Sequence, residues 1–320
     1  MRFIVYGAGA VGGLAGALMA EGGRDVVLIA RGAHADAIAS HGLTVESADG
    51  SRRIDVPVVT DPVAAGVEAG DAVLLAMKSQ DTADALAALR RAAPATVAVA
   101  CLQNGVDNER AALRLFPNVY AVCVMCPATH LEPGVVQQNS VPTPGLLDIG
   151  RYPAGVDEAA AAIAAGFRAG GFESVEQPDI MRWKYRKLLM NLANSVDALC
   201  GGNFGSDTVS RQAREEGEAC LRAAGIDVAS VEEDRVRRGD TLRMRPIAGR
   251  SRPGGSSWQS MQRGTGRIET DWMNGEISLL GRLHGVPTPA NDLLTRLAWQ
   301  AAERHDPPGT MTPEELEALL

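Results

Sequence analysis

Lysine is almost missing from this chain. Of its 31 basic residues only Lys78, Lys184 and Lys187 are lysine, and the rest are arginine. Arginine stays protonated at any relevant pH, whereas lysine can give up a proton, so a chain that fills its charged surface with arginine has kept lysine where arginine cannot serve. Positive charge is in deficit overall: a net charge of −8 leaves no electrostatic case for nucleic acid, although a local basic patch could still hold an anionic ligand. The five cysteines are an odd number and give no disulfide framework, and reduced thiols suit the cytoplasm. Cys123 and Cys126 form a C-x-x-C, but they sit in an apolar run, 119–126, that reads as a strand. There positions i and i+3 face opposite ways, no second pair has zinc spacing, and both thiols read as small buried hydrophobes. His34, His41, His130, His284 and His305 are scattered without metal spacing; His130, the one near a strand end, reads as structural, and no Ser-His-Asp ordering stands out. Residues 3–20 carry no charge, yet Gly7, Gly9, Gly12, Gly13 and Gly16 would weaken a helix begun at residue 3, and no other run is long enough to span a membrane. Repeats and low-complexity segments are absent as well.

What is present is the balance of a soluble globular protein of two ordinary domains: 320 residues, 46% apolar and 22% charged. The first half alternates short β-rich runs with helical patterns. Strands are expected at 3–6, 26–30, 43–46, 54–59, 72–77, 96–102 and 119–126, with helices at 10–21, 32–40, 79–92 and 108–115. Strands separated by helices imply right-handed βαβ units and a mostly parallel sheet. Between 132 and 150, two Pro-Gly pairs punctuate short runs that read as an antiparallel extension, followed by a helix at 159–169 and a last strand at 172–175. After Pro178 the strand signal stops, and helices are expected at 180–199, 207–224, 231–244, 272–283 and 289–303. The expectation is an α/β fold: an N-terminal Rossmann-type domain at 1–178 and a C-terminal all-helical domain at 179–320. The stretch 245–255, rich in Arg, Pro and Gly, is a candidate lid, and the sequence leaves a monomer and a homodimer both open.

Gly7-Ala8-Gly9-Ala10-Val11-Gly12 is a G-x-G-x-x-G lying between a strand and a helix inside a βαβ unit, the context in which the pattern means dinucleotide binding. Gly7 would permit the tight turn, Gly9 the approach of the pyrophosphate and Gly12 close helix–strand packing. The helix N-terminus would then supply amide donors for the phosphates. Arg31 follows the second strand where an NAD enzyme usually has an acid, which favours the 2′-phosphate of NADP. Lys78 and Asn104 follow the strands at 72–77 and 96–102, at the carboxyl ends where open α/β sheets bind ligands. Lys187 and Asn191, four apart on the first helix after the boundary, share a helix face.

Taken in order, these residues resemble the ketopantoate reductases over nearly the whole chain. The resemblance rests on the Gly7-to-Gly13 loop, Arg31, Lys78, Gln103-Asn104-Gly105, Lys187-Leu188 with Asn191, Ser256-Ser257, and Glu269 leading Thr270-Asp271-Trp272-Met273-Asn274-Gly275. It implies reduction of 2-dehydropantoate to pantoate in pantothenate synthesis, with NADP(H) as cofactor and a small 2-keto acid as substrate. Lys187 would be the general acid that protonates the keto oxygen as hydride arrives, and Glu269 would position its ammonium. Asn191 and Ser257 would hold the substrate's hydroxyl and carboxylate ends. Lys78 and Asn104 would line the nicotinamide and the substrate. One position departs from the family: eight residues after the catalytic lysine, where a substrate-binding Asn is typical, stands Ser195. Asn194 is adjacent but roughly 100° around the helix. That change bears on which keto acid is used more than on the reaction. Two alternatives follow, an NADP-dependent reductase of a different 2-keto acid and a non-catalytic NADP-binding sensor; a sensor has no need of Lys187 or Glu269.

Overall fold

The computed structural model describes residues 1–202 and 208–320, and its backbone contacts divide the chain into two compact units. The first comprises Met1–Lys184 together with Val231–Arg252; the second comprises Tyr185–Ser230 and Pro253–Leu320. The first unit thus runs past Pro178 and takes back a later segment, which a single linear cut does not include.

The first unit is built on a seven-stranded sheet in the order Leu146–Arg151, Val119–Met125, Ala98–Cys101, Ala72–Leu75, Phe3–Tyr6, Val26–Ile29, Val58–Val59. All neighbours are parallel except Leu146–Arg151, which pairs antiparallel with Val119–Met125, as the expected extension does. The central strands are apolar on both faces because both faces are covered. Phe3 and Val5, with Ala72 and Leu74, enter one core beneath the helices Ala10–Glu21 and Glu158–Ala169. Ile4, with Val73 and Leu75, enters the opposite core beneath Thr82–Ala92 and Asn108–Leu113. This alternation is the two-residue period of an extended chain.

Several expected elements change form. The run 54–59 is not one strand. Ile54 ends Gly50–Ile54, which pairs antiparallel with Leu43–Ser47 in a separate four-stranded sheet, and only Val58–Val59 joins the main one. In place of a full strand at 172–175, Glu173 and Glu176 form isolated bridges along Leu146–Arg151. The expected helix at 231–244 stops at Arg238. Gly239 turns at φ +46°, and Leu242–Met244 then pairs antiparallel with Ser140–Pro142. The first unit holds that segment by a buried ion pair: Arg237 donates from Nε and Nη2 to Asp148 at 2.8 and 2.6 Å, while Val175 N donates to the same carboxylate.

The second unit is helical throughout its described residues. The expected helix at 180–199 breaks into Ile180–Asn191 and Asn194–Cys200, and the one at 207–224 is Thr208–Ala223, Asp207 lying outside the described residues. Ser256–Gln262, Asn274–His284, Pro289–Glu303 and Pro313–Glu317 complete it. Glu216 is its internal anchor. Its carboxylate accepts from Ala290 N and Asn291 N, capping the start of Pro289–Glu303 from within Thr208–Ala223. Among the described residues no helix is long and apolar enough to cross a membrane, and no group of three or more His, Cys, Asp or Glu could hold a metal ion.

The Asp148–Arg237 pair gives a direct check on how the 231–252 segment is held. Asp148 has a side chain 5% exposed and Arg237 one 18% exposed, so truncating the cation strands a buried carboxylate. Arg237→Ala is expected to lower unfolding free energy by about 3 kcal/mol in urea denaturation; a change within about 0.5 kcal/mol would mean that the pair is only a surface contact.

Candidate functional site

Four strands of the main sheet end at one level. The hydrogen-bond register places Ile29 beside Tyr6, Tyr6 beside Leu75, and Leu75 beside Cys101. Each chain then leaves the sheet into one of the segments singled out from the sequence: Arg31 after Ile29, the glycine turn after Tyr6, Lys78 after Leu75 and Asn104 after Cys101. Sequence order across the sheet reverses at Phe3–Tyr6, which makes this edge the switch point where open α/β sheets bind their ligands.

The glycine turn has the backbone form and the close packing expected at Gly7 and Gly12, and open space at Gly9. Gly7 sits at φ +107°, a backbone region that L side chains rarely adopt, and a Cβ there would lie 2.7 Å from Met77 N. At Gly12 a Cβ would lie 2.1 Å from Gly7 O and 2.6 Å from Ala76 Cβ, so the helix Ala10–Glu21 packs at a distance only glycine allows. At Gly9, in contrast, a Cβ would meet nothing within 4 Å. Gly9 is the N-cap of that helix, with no side-chain cap and no acid in the first turn. The space beside Gly9 is open and the helix N-terminus carries no side-chain cap, a setting that fits an anion such as a pyrophosphate. Ala8, Ala10 and Val11 complete this turn. Arg31 is exposed and is itself the N-cap of Gly32–His41.

Lys78 and Asn104 are half-buried, and their turns are joined by a buried polar network. Gln103 Nε2 donates to Met77 O and to Thr82 Oγ1, both at 2.9 Å. Thr82 Oγ1 donates to Asn108 Oδ1, and Asn108 Nδ2 donates to Ser79 Oγ and to Asn104 O. Lys184 completes the network, its ammonium bonded to Glu109 and to Gln103 O. No motif in the sequence singles out Lys184, Glu109, Asn108 or Thr82. Only the scarcity of lysine pointed to the first of them.

The histidines are scattered along the sequence, yet two of them meet. His34 and His130 have ring centroids 4.2 Å apart. His34 Nδ1 accepts from Gly134 N at 2.9 Å, so its hydrogen is on Nε2, which donates to Ala8 O at 2.7 Å. His130 in turn donates from Nδ1 to Val135 O. A neutral His34, three residues after Arg31, thus braces the glycine turn from below. Burial holds its pKa below the usual 6.5. Cys123 is buried and donates its thiol to Trp183 O, and none of the five cysteines, all among the described residues, is in a disulfide.

Lys187, Asn191, Ser195, Ser257 and Glu269 all belong to the second unit. Lys187 is half-buried and Asn191 buried on one face of Ile180–Asn191. Ser257, buried, lies in the first turn of Ser256–Gln262, which packs on Asn194–Cys200 and is tied to it by Gly255 N donating to Asp197 Oδ2. Glu269, buried, is the N-cap of the short turn Thr270–Trp272. Ser195 is committed inward. Its hydroxyl donates to Asn274 Oδ1 at 2.7 Å and lies 3.1 Å from Thr270 Oγ1. Asn274 donates to Asn291, and Asn291 to Glu216, so Ser195 is the end of a buried polar chain through four helices.

Comparison with known proteins agrees with this architecture. Residues 3–154 match the family model described as ketopantoate reductase PanE/ApbA, and residues 179–302 match the model of its C-terminal part. The 2-dehydropantoate 2-reductase of Halobacterium salinarum is 30% identical over 90% of this chain and 95% of its own. That of Pyrococcus horikoshii is 30% identical over 93% of this chain and 96% of its own. Among solved structures, a PanE/ApbA family ketopantoate reductase from Ralstonia eutropha superposes with a TM-score of 0.78 at 30% identity, covering 95% of this chain and 99% of the other. A D-mandelate dehydrogenase with NADH and anilino(oxo)acetate shares the fold, with a TM-score of 0.80 at 22% identity over 95% of this chain and 99% of its own.

The brace at His34 has a pH signature. Because its folded pKa is lowered, the unfolded chain takes up a proton first as pH falls below the usual 6.5. The contribution of His34 to stability is therefore complete above that value and is lost as pH falls toward the lowered folded pKa. Measured by urea denaturation from pH 7 down to about 5, the native chain is expected to lose more stability than His34→Gln does. Parallel pH slopes for the two chains would count against a neutral, tautomer-locked His34.

Proposed function

The chain belongs to the ketopantoate reductase family and is an oxidoreductase of that kind, and from that footing we propose that it reduces a small 2-keto acid, 2-dehydropantoate first, to the 2-hydroxy acid with NADPH. The observation that carries this reading is the row of four strand ends. Three strand spacings of ~4.8 Å make about 14 Å from the Ile29 end to the Cys101 end, a span on the scale of an extended dinucleotide. Along it stand Arg31 for a 2′-phosphate, the Gly9 opening and helix N-terminus for the pyrophosphate, and Lys78 and Asn104 for the nicotinamide end.

The nicotinamide, when bound, supplies a hydride to the keto carbon. The remaining tasks fall to side chains. Lys187 donates a proton to the keto oxygen as negative charge develops there, which yields the hydroxyl. Glu269 orients that ammonium. Asn191 and Ser257 hold the substrate's hydroxyl and carboxylate, and Asn104 aligns the reacting groups. A chain otherwise furnished with arginine needs lysine at 187 because a guanidinium does not release its proton.

Ser195 favours a second reading within the same reaction type, a different 2-keto acid. At this position the resemblance calls for an amide that contacts substrate, whereas here a short hydroxyl is bonded to Asn274. A binding site loses selectivity for a substrate hydroxyl when its own polar partner is removed.

Oxidation of NADPH, followed with 2-dehydropantoate and a panel of other 2-keto acids, decides between the readings, and binding without turnover on any of them would leave a sensor. With the keto acid that is turned over, Lys187→Ala is expected to lower kcat at least ~100-fold while dinucleotide binding is kept; near-normal turnover would remove Lys187 from the mechanism. Arg31→Ala is expected to weaken NADPH much more than NADH, and equal losses of the two would count against its role at the 2′-phosphate.

A further inference from the structure

Lys184 is the one lysine that the proposed reaction does not use, and it is buried. Its side chain is 2% exposed and that of its partner Glu109 is fully buried. The ammonium bonds Glu109 Oε1 and donates to Gln103 O at 3.0 Å, and Glu109 Oε2 accepts no hydrogen bond. Taking two charges out of water costs several kcal/mol per ion, and an apolar pair of the same volume generally serves stability as well or better. An incompletely satisfied buried pair is therefore a poor device for stability and calls for another explanation.

The geometry around Asn104 supplies one. Gln103 O belongs to the peptide that joins Gln103 to Asn104. Asn104 O, on the next peptide, accepts from Asn108 Nδ2 at 3.1 Å. The strand has ended at Cys101, and Gly105 turns away at φ +80°. Both peptide planes that flank Asn104 are thus held by side chains rather than by a sheet ladder. A lysine suits the first of these tasks: one compact ammonium has donors for both the carboxylate and the carbonyl, whereas the planar fork of arginine fixes its donors in one plane.

We propose that the Lys184–Glu109 pair positions Asn104: the Lys184 ammonium pins the 103–104 peptide plane, Glu109 holds that ammonium in place, and the Asn104 amide keeps one orientation. Its consequence for turnover rests on the role in alignment proposed for Asn104, whereas the orientation itself does not.

The test is a double-mutant cycle with an independent readout. Replacing both members (Lys184→Met with Glu109→Met) removes the pin without stranding a buried charge. This chain is expected to unfold cooperatively, and to lose at least ~10-fold in turnover of the accepted keto acid with NADPH. Adding Asn104→Ala to it is expected to cause little further loss, because the two changes remove the same alignment. In protein labelled with ¹⁵N-asparagine, the Asn104 side-chain amide signal, identified by its loss in Asn104→Ala, is expected to be dispersed in the native chain. In the paired variant it should move toward the unfolded shift. Should the apolar pair not fold, Lys184→Gln with Glu109→Gln repeats the cycle with a neutral pair. An unchanged Asn104 signal, or a full additive loss from Asn104→Ala in the paired variant, would overturn the proposal. Full turnover by Asn104→Ala alone would instead sink the part given to Asn104 in the reaction, and the amide signal would then decide the positioning.

Discussion

Everything in the first unit depends on the hydrogen-bond register of four parallel strands. Because Ile29, Tyr6, Leu75 and Cys101 stand in one row, the four turns that follow them open at one edge, though they are far apart along the chain. A slip of one residue in any pairing would turn that strand's side chains to the opposite face. Phe3 and Val5 would then trade cores with Ile4 and Tyr6, and the two apolar layers would oppose the change together. The precision of the site is inherited from the packing of the core. Gly12 extends the same constraint to the helix, whose approach to the sheet leaves no room for a methyl group.

Such an edge has a polar problem. Turns that leave a buried sheet carry peptide groups no ladder satisfies, and each unpaired group is costly. The chain meets this with side chains drawn from a neighbouring turn and from nearby helices. Gln103 bonds Met77 O, Asn108 bonds Asn104 O, Lys184 bonds Gln103 O, and His34 bonds Ala8 O. The groups that satisfy the backbone are the same ones that fix the turns, so local order at the candidate site and satisfaction of its buried peptides are one requirement.

Much of this was legible beforehand, for a physical reason. Apolar runs such as Ala72–Leu75, bounded by turns and followed by helical patterns, carry their own period, and the glycine turn carries its own steric logic. What stayed hidden depends on partners remote in sequence. The helix expected through Met244 becomes a strand because Ser140–Pro142 offers Leu242–Met244 an edge, a tertiary override of local preference. His34 and His130 meet near the parallel pairing of Val135–Gln138 with Leu43–Ser47, two expected runs whose pairing in a separate small sheet depends on residues far apart in the chain. Lys184 was visible only as a rare residue, since nothing near it in the sequence identifies Glu109 as its partner.

The second unit shows how a small hydroxyl at one buried position is accommodated. An asparagine at position 195 would carry two amide donors and a carbonyl, all needing partners if buried. Serine needs fewer, and Asn274 and Thr270 provide them. Asn274 is then free to bond Leu192 O and Asn291, and Asn291 reaches Glu216 and Ala213 O, so the chain of polar groups closes without a stranded member. The hydroxyl at 195 therefore joins the scaffold that supports the neighbouring helix turns. Side-chain orientation and helix packing are coupled at this position, because the hydroxyl that ends the polar chain is bonded inward to Asn274 rather than left without a partner.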